Sequence, residues 1–224
     1  MTNYHAIVLA AGSGKRMNAG ENKQFILIKD KPLIIHTLQV FDEDNWCQSI
    51  ILVINPKERE RMEQLLYQYP LSTLVTLVDG GSERQQSVYS GLEVLKEAKE
   101  DIVFIHDGAR PFVKQSSLHQ LADVTKHKQA ALLAVPVTDT INQKHEDKLT
   151  TLDRKTLWAA QTPQAFTVDV IFQAHHMAKA DNFLGTDDAS LVERMGKPVE
   201  IVKGSYDNIK LTTPEDLKRA ESLL

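Results

Sequence analysis

The sequence predicts an α/β fold in which a mainly parallel sheet is flanked by helices. Short apolar runs alternate with helical patterns, and most of the runs are continuous, as expected of strands whose two faces are both covered. The strand candidates are residues 6–10, 50–54, 74–78, 102–106, 131–135 and 199–202. Because strand–helix alternation requires crossover connections, ligands should bind at the carboxyl ends of these strands.

Helices are predicted where apolar residues recur at three- and four-residue spacing. Two stripes of this kind are Met62, Leu65, Leu66 and Tyr69, and then Val88, Leu92 and Leu95. Thr213 followed by Pro214 supplies an N-cap and a first-turn proline for a C-terminal helix. Residues 139–154 have no helical stripe. Their polar, weakly alternating pattern predicts an extended hairpin or arm that leaves the main sheet.

Length and composition favour one domain spanning residues 1–224. A chain of 224 residues with 42% hydrophobic content can bury a substantial core, and its single cysteine, Cys47, has no intrachain disulfide partner. The apolar run at 5–11 lacks a basic preceding region and ends in a glycine turn, so it predicts a strand rather than a signal peptide. We therefore expect a cytoplasmic protein. The net charge of -4, without a block of Lys or Arg, argues against nucleic acid or a membrane as partner.

A glycine-rich segment follows the first predicted strand: residues 10–17 read AAGSGKRM. Such a turn exposes backbone N–H groups to a phosphate, and Lys15 and Arg16 add positive charge. The segment matches neither the dinucleotide fingerprint, because Met17 replaces its third glycine, nor the wider spacing of a Walker A loop. On this pattern alone, an ordinary strand-to-helix turn remains an equal alternative.

A carboxylate and an arginine follow the predicted strand at 102–106. Asp107 at the carboxyl end of a parallel strand would suit a Mg2+ ion that faces a nucleotide triphosphate, whereas the alternative is a surface ion pair between Asp107 and Arg110. Residues 158–166, 185–188 and 208–214 each read alone as loops. For Asp187 and Asp188, capping of a helix N-terminus is favoured over a second metal site.

Taken in order, these segments closely resemble the 2-C-methyl-D-erythritol 4-phosphate cytidylyltransferase family of the non-mevalonate isoprenoid pathway. The matching segments are residues 10–17, 23–24, 80–88, 106–112, 135–140, 152–154, 161–164 and 208–212. The resemblance implies a Rossmann-like nucleotidyltransferase fold with an extended β-arm at about 138–156. Two positions depart from the family pattern: Asn22 stands where proline is frequent, and Gly108 where alanine is usual.

The resemblance also implies roles for individual residues. Arg16 and Lys23 would be catalytic and face the triphosphate, while Asp107 would contact CTP and bind magnesium. The implied cytidine contacts are Ala10, Ala11, Gly12, Ser13, Gly14, Gly81, Ser82 and Ser87. The implied contacts to the sugar-alcohol phosphate are Thr140, Arg154, Thr162 and Lys210.

The reaction that the resemblance implies transfers CMP from CTP to 2-C-methyl-D-erythritol 4-phosphate and releases pyrophosphate. The nucleophile would be the phosphate of the acceptor, which is mostly ionised near neutrality because its second pKa is about 6. A general base would add little, so none of the eight histidines receives a catalytic role. We expect His106 to orient the loop around Asp107 rather than to transfer a proton.

Two other functions fit parts of the pattern. A ribitol 5-phosphate cytidylyltransferase would share the CTP site, but residues 152–154 and 157–158 favour the methylerythritol acceptor. A regulatory module that senses CTP without turnover would not need Thr140, Arg154 and Lys210. The resemblance further implies a homodimer in which the arm crosses a two-fold axis and brings Thr140 and Arg154 to the other subunit's site.

Overall fold

The computed structural model describes residues 2–12 and 22–223, which fold around a seven-stranded sheet. In chain order the strands are β1 (Tyr4–Leu9), β2 (Leu27–Ile28), β3 (Lys31–Pro32), β4 (Cys47–Ile54), β5 (Leu74–Asp79), β6 (Ile102–Asp107), β7 (Ala130–Pro136), β8 (Asn142–His145), β9 (Lys148–Thr151), β10 (Trp158–Thr167) and β11 (Glu200–Lys203). The helices are α1 (Leu33–Asp42), α2 (Arg59–Gln68), α3 (Arg84–Glu93), α4 (Gln115–Lys128), α5 (Val168–Ala180), α6 (Asp188–Arg194) and α7 (Pro214–Leu223).

The large sheet has the order β11-β7-β10-β6-β1-β4-β5. β1 pairs in parallel with both β4 and β6, β4 with β5, and β11 with β7. β10 is antiparallel to both of its neighbours, β6 and β7. The mainly parallel α/β fold predicted from the sequence is therefore confirmed, and the parallel strands end at one edge, where β10 begins.

The interpretation of residues 158–166 as a loop is wrong, because this segment forms most of β10. Its polar centre and Pro163 conceal the strand from a periodicity analysis. The pairing with β7 shifts register between Ala160 and Gln164, so the proline lies where the hydrogen-bond ladder is already interrupted. Trp158, which starts the strand, is 41% exposed.

Apolar side chains cover both faces of the sheet. On one face, α1, α2 and α4 contribute Phe41, Met62 and Leu121 to a buried cluster. On the other, α3 and α5 contribute Val88 and Ile171. Burial on both faces explains why the strands read as continuous apolar runs. The packing leaves polar residues to collect at the ends of the strands.

Helix ends follow the signals in the sequence. α7 begins at Pro214, and Thr213 and Asp216 cap it reciprocally: Asp216 N donates to Thr213 Oγ1 at 3.4 Å, and Thr213 N donates to Asp216 Oδ2 at 2.9 Å. Asp187 is the N-cap of α6 and accepts from Ser190 N at 2.9 Å, so its capping role is confirmed.

Across residues 2–12 and 22–223, every helix is too short or too polar to cross a membrane.

A small antiparallel hairpin lies within the stretch where the sequence predicts an arm. β8 pairs with β9 from Asn142 opposite Thr151 to His145 opposite Lys148, and all residues of both strands are exposed. Ile141 O accepts from Leu152 N at 2.9 Å and closes the base of the hairpin. An isolated two-stranded hairpin is marginally stable in water, so this one needs support from elsewhere.

Candidate active site at the carboxyl edge of the sheet

Three cationic side chains surround the carboxylate of Asp107, the last residue of β6. Lys210 Nζ lies 2.8 Å from Asp107 Oδ2, and Arg110 Nε lies 3.5 Å from the same oxygen. Arg84 Nε is 3.8 Å from Oδ1. The predicted alternative of a surface ion pair is wrong in one respect: Asp107 and Arg110 do pair, but both side chains are largely buried. Cations gathered from separate segments are typical of a site for an anionic ligand.

Asp107 is a permanent anion near neutral pH. Burial by itself raises the pKa of Asp107, but the positive charges of Lys210, Arg84 and Arg110 outweigh burial and hold the pKa well below its usual range. Burial lowers the pKa of the Arg110 guanidinium, and Asp107 partly offsets that effect. The Asp107 carboxylate can therefore serve as a ligand for a hard cation without first losing a proton.

Residues 208–211 lie against the end of β6 and bring Lys210 to Asp107. The Arg110 guanidinium donates through Nη1 to Asn208 O at 2.6 Å. Asn208 Nδ2 donates to Thr162 O at 2.9 Å, and Thr162 Oγ1 accepts from Asp107 N at 3.0 Å. Thr162 and Lys210, two of the residues assigned to the acceptor, thus lie together at this edge.

His106 is fully buried immediately before Asp107. Its Nε2 lies 2.9 Å from Arg110 O and donates to this carbonyl, which fixes the turn that carries Arg110. Burial lowers the pKa of His106 to about 4, so the ring is neutral under ordinary conditions. This contact supports the expectation that His106 orients the loop.

The glycine turn between β5 and α3, together with the first turn of α3, contains three of the residues assigned to cytidine: Gly81, Ser82 and Ser87. Ser87 Oγ accepts from Gly81 N at 3.1 Å and donates to Glu83 O at 3.1 Å, so it closes the turn from inside. Gln86 Oε1 accepts from both Ser82 N and Ser82 Oγ. These bonds hold the turn in one shape at the carboxyl end of β5.

The first glycine-rich loop packs against this turn. A Cβ added at Gly80 would lie 2.5 Å from Ala11 Cβ and 3.2 Å from Ile54 O, so a residue without a side chain is needed here. Ala10 N donates to Val53 O at 2.7 Å, which continues the β1–β4 ladder. Ala10, Ala11 and Gly12 are therefore brought beside residues 80–87. The predicted contacts Ser13 and Gly14, and the predicted catalytic Arg16, lie outside the described residues.

Lys23 begins a short 3-10 turn, Lys23–Phe25, whose position is fixed from α2. Asn22 caps the turn by accepting from Gln24 N at 3.1 Å, and its Nδ2 donates to Glu58 Oε2 at 2.7 Å. The guanidinium of Arg61 lies over the Phe25 ring, 3.8 Å from its centroid. Lys23 Nζ donates to Leu211 O at 3.2 Å, next to Lys210, so Lys23 also belongs to this edge.

Thr140 and Arg154 lie at the base of the hairpin, beyond the end of the β7–β10 pair where Trp158 lies opposite Pro136. Both are exposed, and Arg154 Nη1 donates to Thr138 O at 2.7 Å. Within the part of the chain that the structure describes, no hydrogen bond or ion pair joins either residue to Asp107 or Thr162. Within the described residues, the predicted contacts Thr162 and Lys210 are joined to Asp107 directly, whereas Thr140 and Arg154 are not.

Comparison with known proteins identifies the family. A family model described as 2-C-methyl-D-erythritol 4-phosphate cytidylyltransferase matches residues 4–224. The chain belongs to this cytidylyltransferase family. A relative of the same name from Geobacillus thermodenitrificans is 57% identical over 99% of this chain and 97% of its own. Another from Bacillus velezensis is 53% identical over 99% and 95% of the two chains.

Solved structures of the cytidylyltransferase family have the same fold. A crystal structure of 4-diphosphocytidyl-2C-methyl-D-erythritol synthase from Anaerococcus prevotii superposes with a TM-score of 0.87 at 30% identity, covering 99% of this chain and 95% of that one. The Francisella tularensis 2-C-methyl-D-erythritol 4-phosphate cytidylyltransferase superposes with a TM-score of 0.85 at 33% identity, covering 99% and 100%. The resemblance seen in the motifs therefore extends to the whole tertiary structure.

Sequence reasoning did not single out two charged residues that the structure places beside or behind Asp107. Arg84 received no role, although it lies within the 80–88 motif and starts α3 beside Asp107. The expectation of capping holds for Asp187 but not for the side chain of Asp188, whose carboxylate is buried and lies 2.7 Å from Arg84 Nη2. Arg84 could have been recognised from the sequence, because a cation in a glycine-containing motif after a parallel strand is a candidate contact for an anionic ligand. No local signal marked Asp188.

The two departures from the family pattern have structural consequences. At position 22, asparagine supplies two side-chain hydrogen bonds that fix the turn carrying Lys23. At position 108, a Cβ would lie 2.8 Å from Leu9 O and 3.0 Å from Ile34 Cδ1. The backbone around Asp107 is thus packed too closely in this cytidylyltransferase to accept alanine without a shift.

Proposed function

We propose that the chain transfers CMP from CTP to 2-C-methyl-D-erythritol 4-phosphate, giving 4-diphosphocytidyl-2-C-methyl-D-erythritol and pyrophosphate. The observation that carries the proposal is the ionised Asp107, surrounded by Lys210, Arg110 and Arg84 at the same sheet edge as the 80–87 turn. Membership of the cytidylyltransferase family supports the choice of CTP and of this acceptor.

The reaction is an in-line displacement at the α-phosphorus of CTP. An oxygen of the acceptor phosphate forms the new bond to phosphorus while the bond to the bridging oxygen breaks, and the electron pair leaves with pyrophosphate. Lys23, together with Arg16, would stabilise the charge that develops on the triphosphate. Thr162 and Lys210 would hold the acceptor phosphate, and Ala10–Gly14, Gly81, Ser82 and Ser87 would hold cytidine.

The site fits a Mg2+ ion held through a single protein carboxylate. In residues 2–12 and 22–223 no group of three or more His, Cys, Asp or Glu side chains could bind a metal, so Asp107 would act with phosphate oxygens and water as further ligands. Bound there, Mg2+ would neutralise charge on the phosphates of CTP. Lys210 Nζ lies 2.8 Å from Asp107 Oδ2, so this carboxylate oxygen already attracts a positively charged group.

Pyrophosphate release tests this function. We would incubate the protein with CTP, Mg2+ and either 2-C-methyl-D-erythritol 4-phosphate or ribitol 5-phosphate, and would compare kcat/KM for the two acceptors. We expect preference for the methylerythritol compound. Equal turnover or a preference for ribitol 5-phosphate would contradict the assigned acceptor, and binding of CTP without turnover would indicate a regulatory module.

Asp107→Asn tests the metal assignment separately. The amide preserves the shape of the side chain but lacks the charge that a hard cation requires. We expect this variant to lose turnover and also to lose binding of Mn2+, measured in the presence of CTP by electron paramagnetic resonance. Mn2+ binding equal to that of the wild type would remove Asp107 from the proposed metal site.

We further propose that the functional unit is a cytoplasmic homodimer of single-domain chains, with arms at about 138–156. Among the described residues Thr140 and Arg154 make no hydrogen bond or ion pair with Asp107 or Thr162, so an arm from a second copy would supply them. Mixing Lys23→Ala with Arg154→Ala under subunit exchange should restore about a quarter of all sites. No recovery despite verified exchange would place Arg154 in its own chain's site.

A further inference from the structure

A single guanidinium bridges two carboxylates on different elements. Arg84 Nε lies 3.8 Å from Asp107 Oδ1 at the end of β6, and Arg84 Nη2 lies 2.7 Å from Asp188 Oδ2 at the start of α6. The guanidinium is rigid and planar, so fixing one side of it restricts where the other side can lie. The position of Asp188 therefore restrains the position of the cation beside Asp107.

Asp188 is itself fixed by the sheet. Its backbone N donates to Gln164 Oε1 at 3.1 Å, and the same oxygen accepts from Ala189 N at 2.9 Å. Gln164 lies in β10 directly opposite Ile105, which is two residues before Asp107 in β6. Asp188 and Asp107 thus belong to one rigid hydrogen-bonded unit, and Arg84 spans the distance between them.

The burial of Asp188 calls for a reason, because an unpaired buried carboxylate is costly. Its side chain is 1% exposed, and its second oxygen lies 3.7 Å from Nε2 of the buried His175. Burial by itself raises the pKa of Asp188, but the positive charge of Arg84, together with the nearby His175 ring, outweighs burial and lowers the pKa. Asp188 is therefore ionised although its side chain is almost completely buried.

We propose that Asp188 is a positioning residue for cytidylyl transfer: its ion pair with Arg84 holds a guanidinium beside Asp107 and so orients that carboxylate. This inference rests on the proposed function, since Asp107 acts there. Arg110 is restrained in the same way by Asn208 O, whereas the only ion-pair partner of Lys210 among the described residues is Asp107. Arg84 and Arg110 keep the carboxylate in place while Lys210 can turn toward a phosphate.

The test compares Asp188→Asn, Arg84→Gln and the double variant with the wild type. Arg84→Gln leaves the buried Asp188 carboxylate without its guanidinium, and Asp188→Asn leaves Arg84 with Asp107 alone, so we expect a lower Tm for both and the larger loss for Arg84→Gln. The double variant removes both charges, so its Tm should recover toward the wild-type value. We expect kcat to fall about 10- to 100-fold in all three variants, with KM for CTP changed less than about three-fold.

A matched control is the Arg194–Asp181 pair, which joins the same residue types at 2.9 Å on the surface. Asp181→Asn should leave kcat and Tm nearly unchanged, because exposed pairs contribute little. If the double variant regains both Tm and kcat, Asp188 serves stability alone and the inference is wrong. It is also wrong if kcat is unchanged in the single variants or if the defect lies in KM.

Failure of the proposed function gives a different result. A wild-type protein that releases no pyrophosphate from CTP and 2-C-methyl-D-erythritol 4-phosphate would overturn the function and this inference together. Wild-type turnover combined with an unimpaired double variant would overturn the inference alone.

Discussion

Replacing Asn208 with alanine should uncouple the segment that carries Lys210 from β10. The Asn208 side chain is 1% exposed, and its Nδ2 donates to Thr162 O at 2.9 Å and to Gln161 Oε1 at 3.3 Å. Gln161 Nε2 in turn donates to Ser205 O at 2.9 Å. Asn208 thus joins the start of β10 to the 205–211 segment at the back of the site.

The expected loss of stability follows from the acceptors left behind. Leaving a buried acceptor without its donor costs about 1–3 kcal/mol, and the 3.3 Å bond is the weaker of the two. Asn208 Oδ1 has no hydrogen-bond partner among the described residues, so its removal costs little. We expect the free energy of unfolding to fall by about 2–3 kcal/mol, which lowers Tm by about 4–12 °C for a protein of this size.

Asn208→Asp distinguishes the hydrogen bonds from simple packing. Aspartate preserves the shape of asparagine but places an acceptor against Thr162 O, so this variant should be at least as destabilised as Asn208→Ala. Thermal and urea unfolding measure stability, and pyrophosphate release should show kcat reduced about ten-fold, equivalent to 1.4 kcal/mol. Gln173→Ala removes an exposed amide bonded to Asp169 and is the control. Wild-type stability of Asn208→Asp at pH 7 would refute the reasoning.

Three further predictions concern other parts of the site. Lys23→Ala and Arg16→Ala should fold normally and lose several orders of magnitude in kcat; near-normal kcat with an altered KM for CTP would contradict a role in the transition state. Gly108→Ala should lower the free energy of unfolding by about 1–3 kcal/mol, because the new Cβ would lie 2.8 Å from Leu9 O; an unchanged Tm would show that the backbone yields freely. His106 has its pKa lowered from 6.5 to about 4, so the unfolded chain binds its proton first and stability falls as pH drops through this window. The contribution lost at pH 5 is about 2 kcal/mol, and His106→Gln should show a flatter dependence of Tm on pH between 7 and 5.

The elements that could be predicted are those whose signal is local. The strands at the centre of the sheet read as apolar runs because both of their faces are buried, and α7 starts at Pro214 because its capping residues adjoin it. β10 could not be recognised in this way. Its central residues include the polar Thr162 and Pro163, which has no backbone N–H to donate to a neighbouring strand. This segment is a strand because β6 and β7 pair with it on either side.

The sequence by itself determined the family and the reaction and predicted the segments of the site, because motif order and residue type survive without coordinates. Tertiary structure decided how the charges are paired. Arg84, Asp107 and Lys210 lie far apart in the chain. Only the folded sheet edge brings the two cations within 4 Å of the Asp107 carboxylate. Asp188 shows most clearly what the sequence could not predict. Because it adjoins the capping residue Asp187, the sequence predicts a cap, whereas in the fold its buried carboxylate pairs with Arg84. Periodicity and propensity reflect near neighbours, whereas burial and ion pairing depend on contacts that form only when the chain has folded.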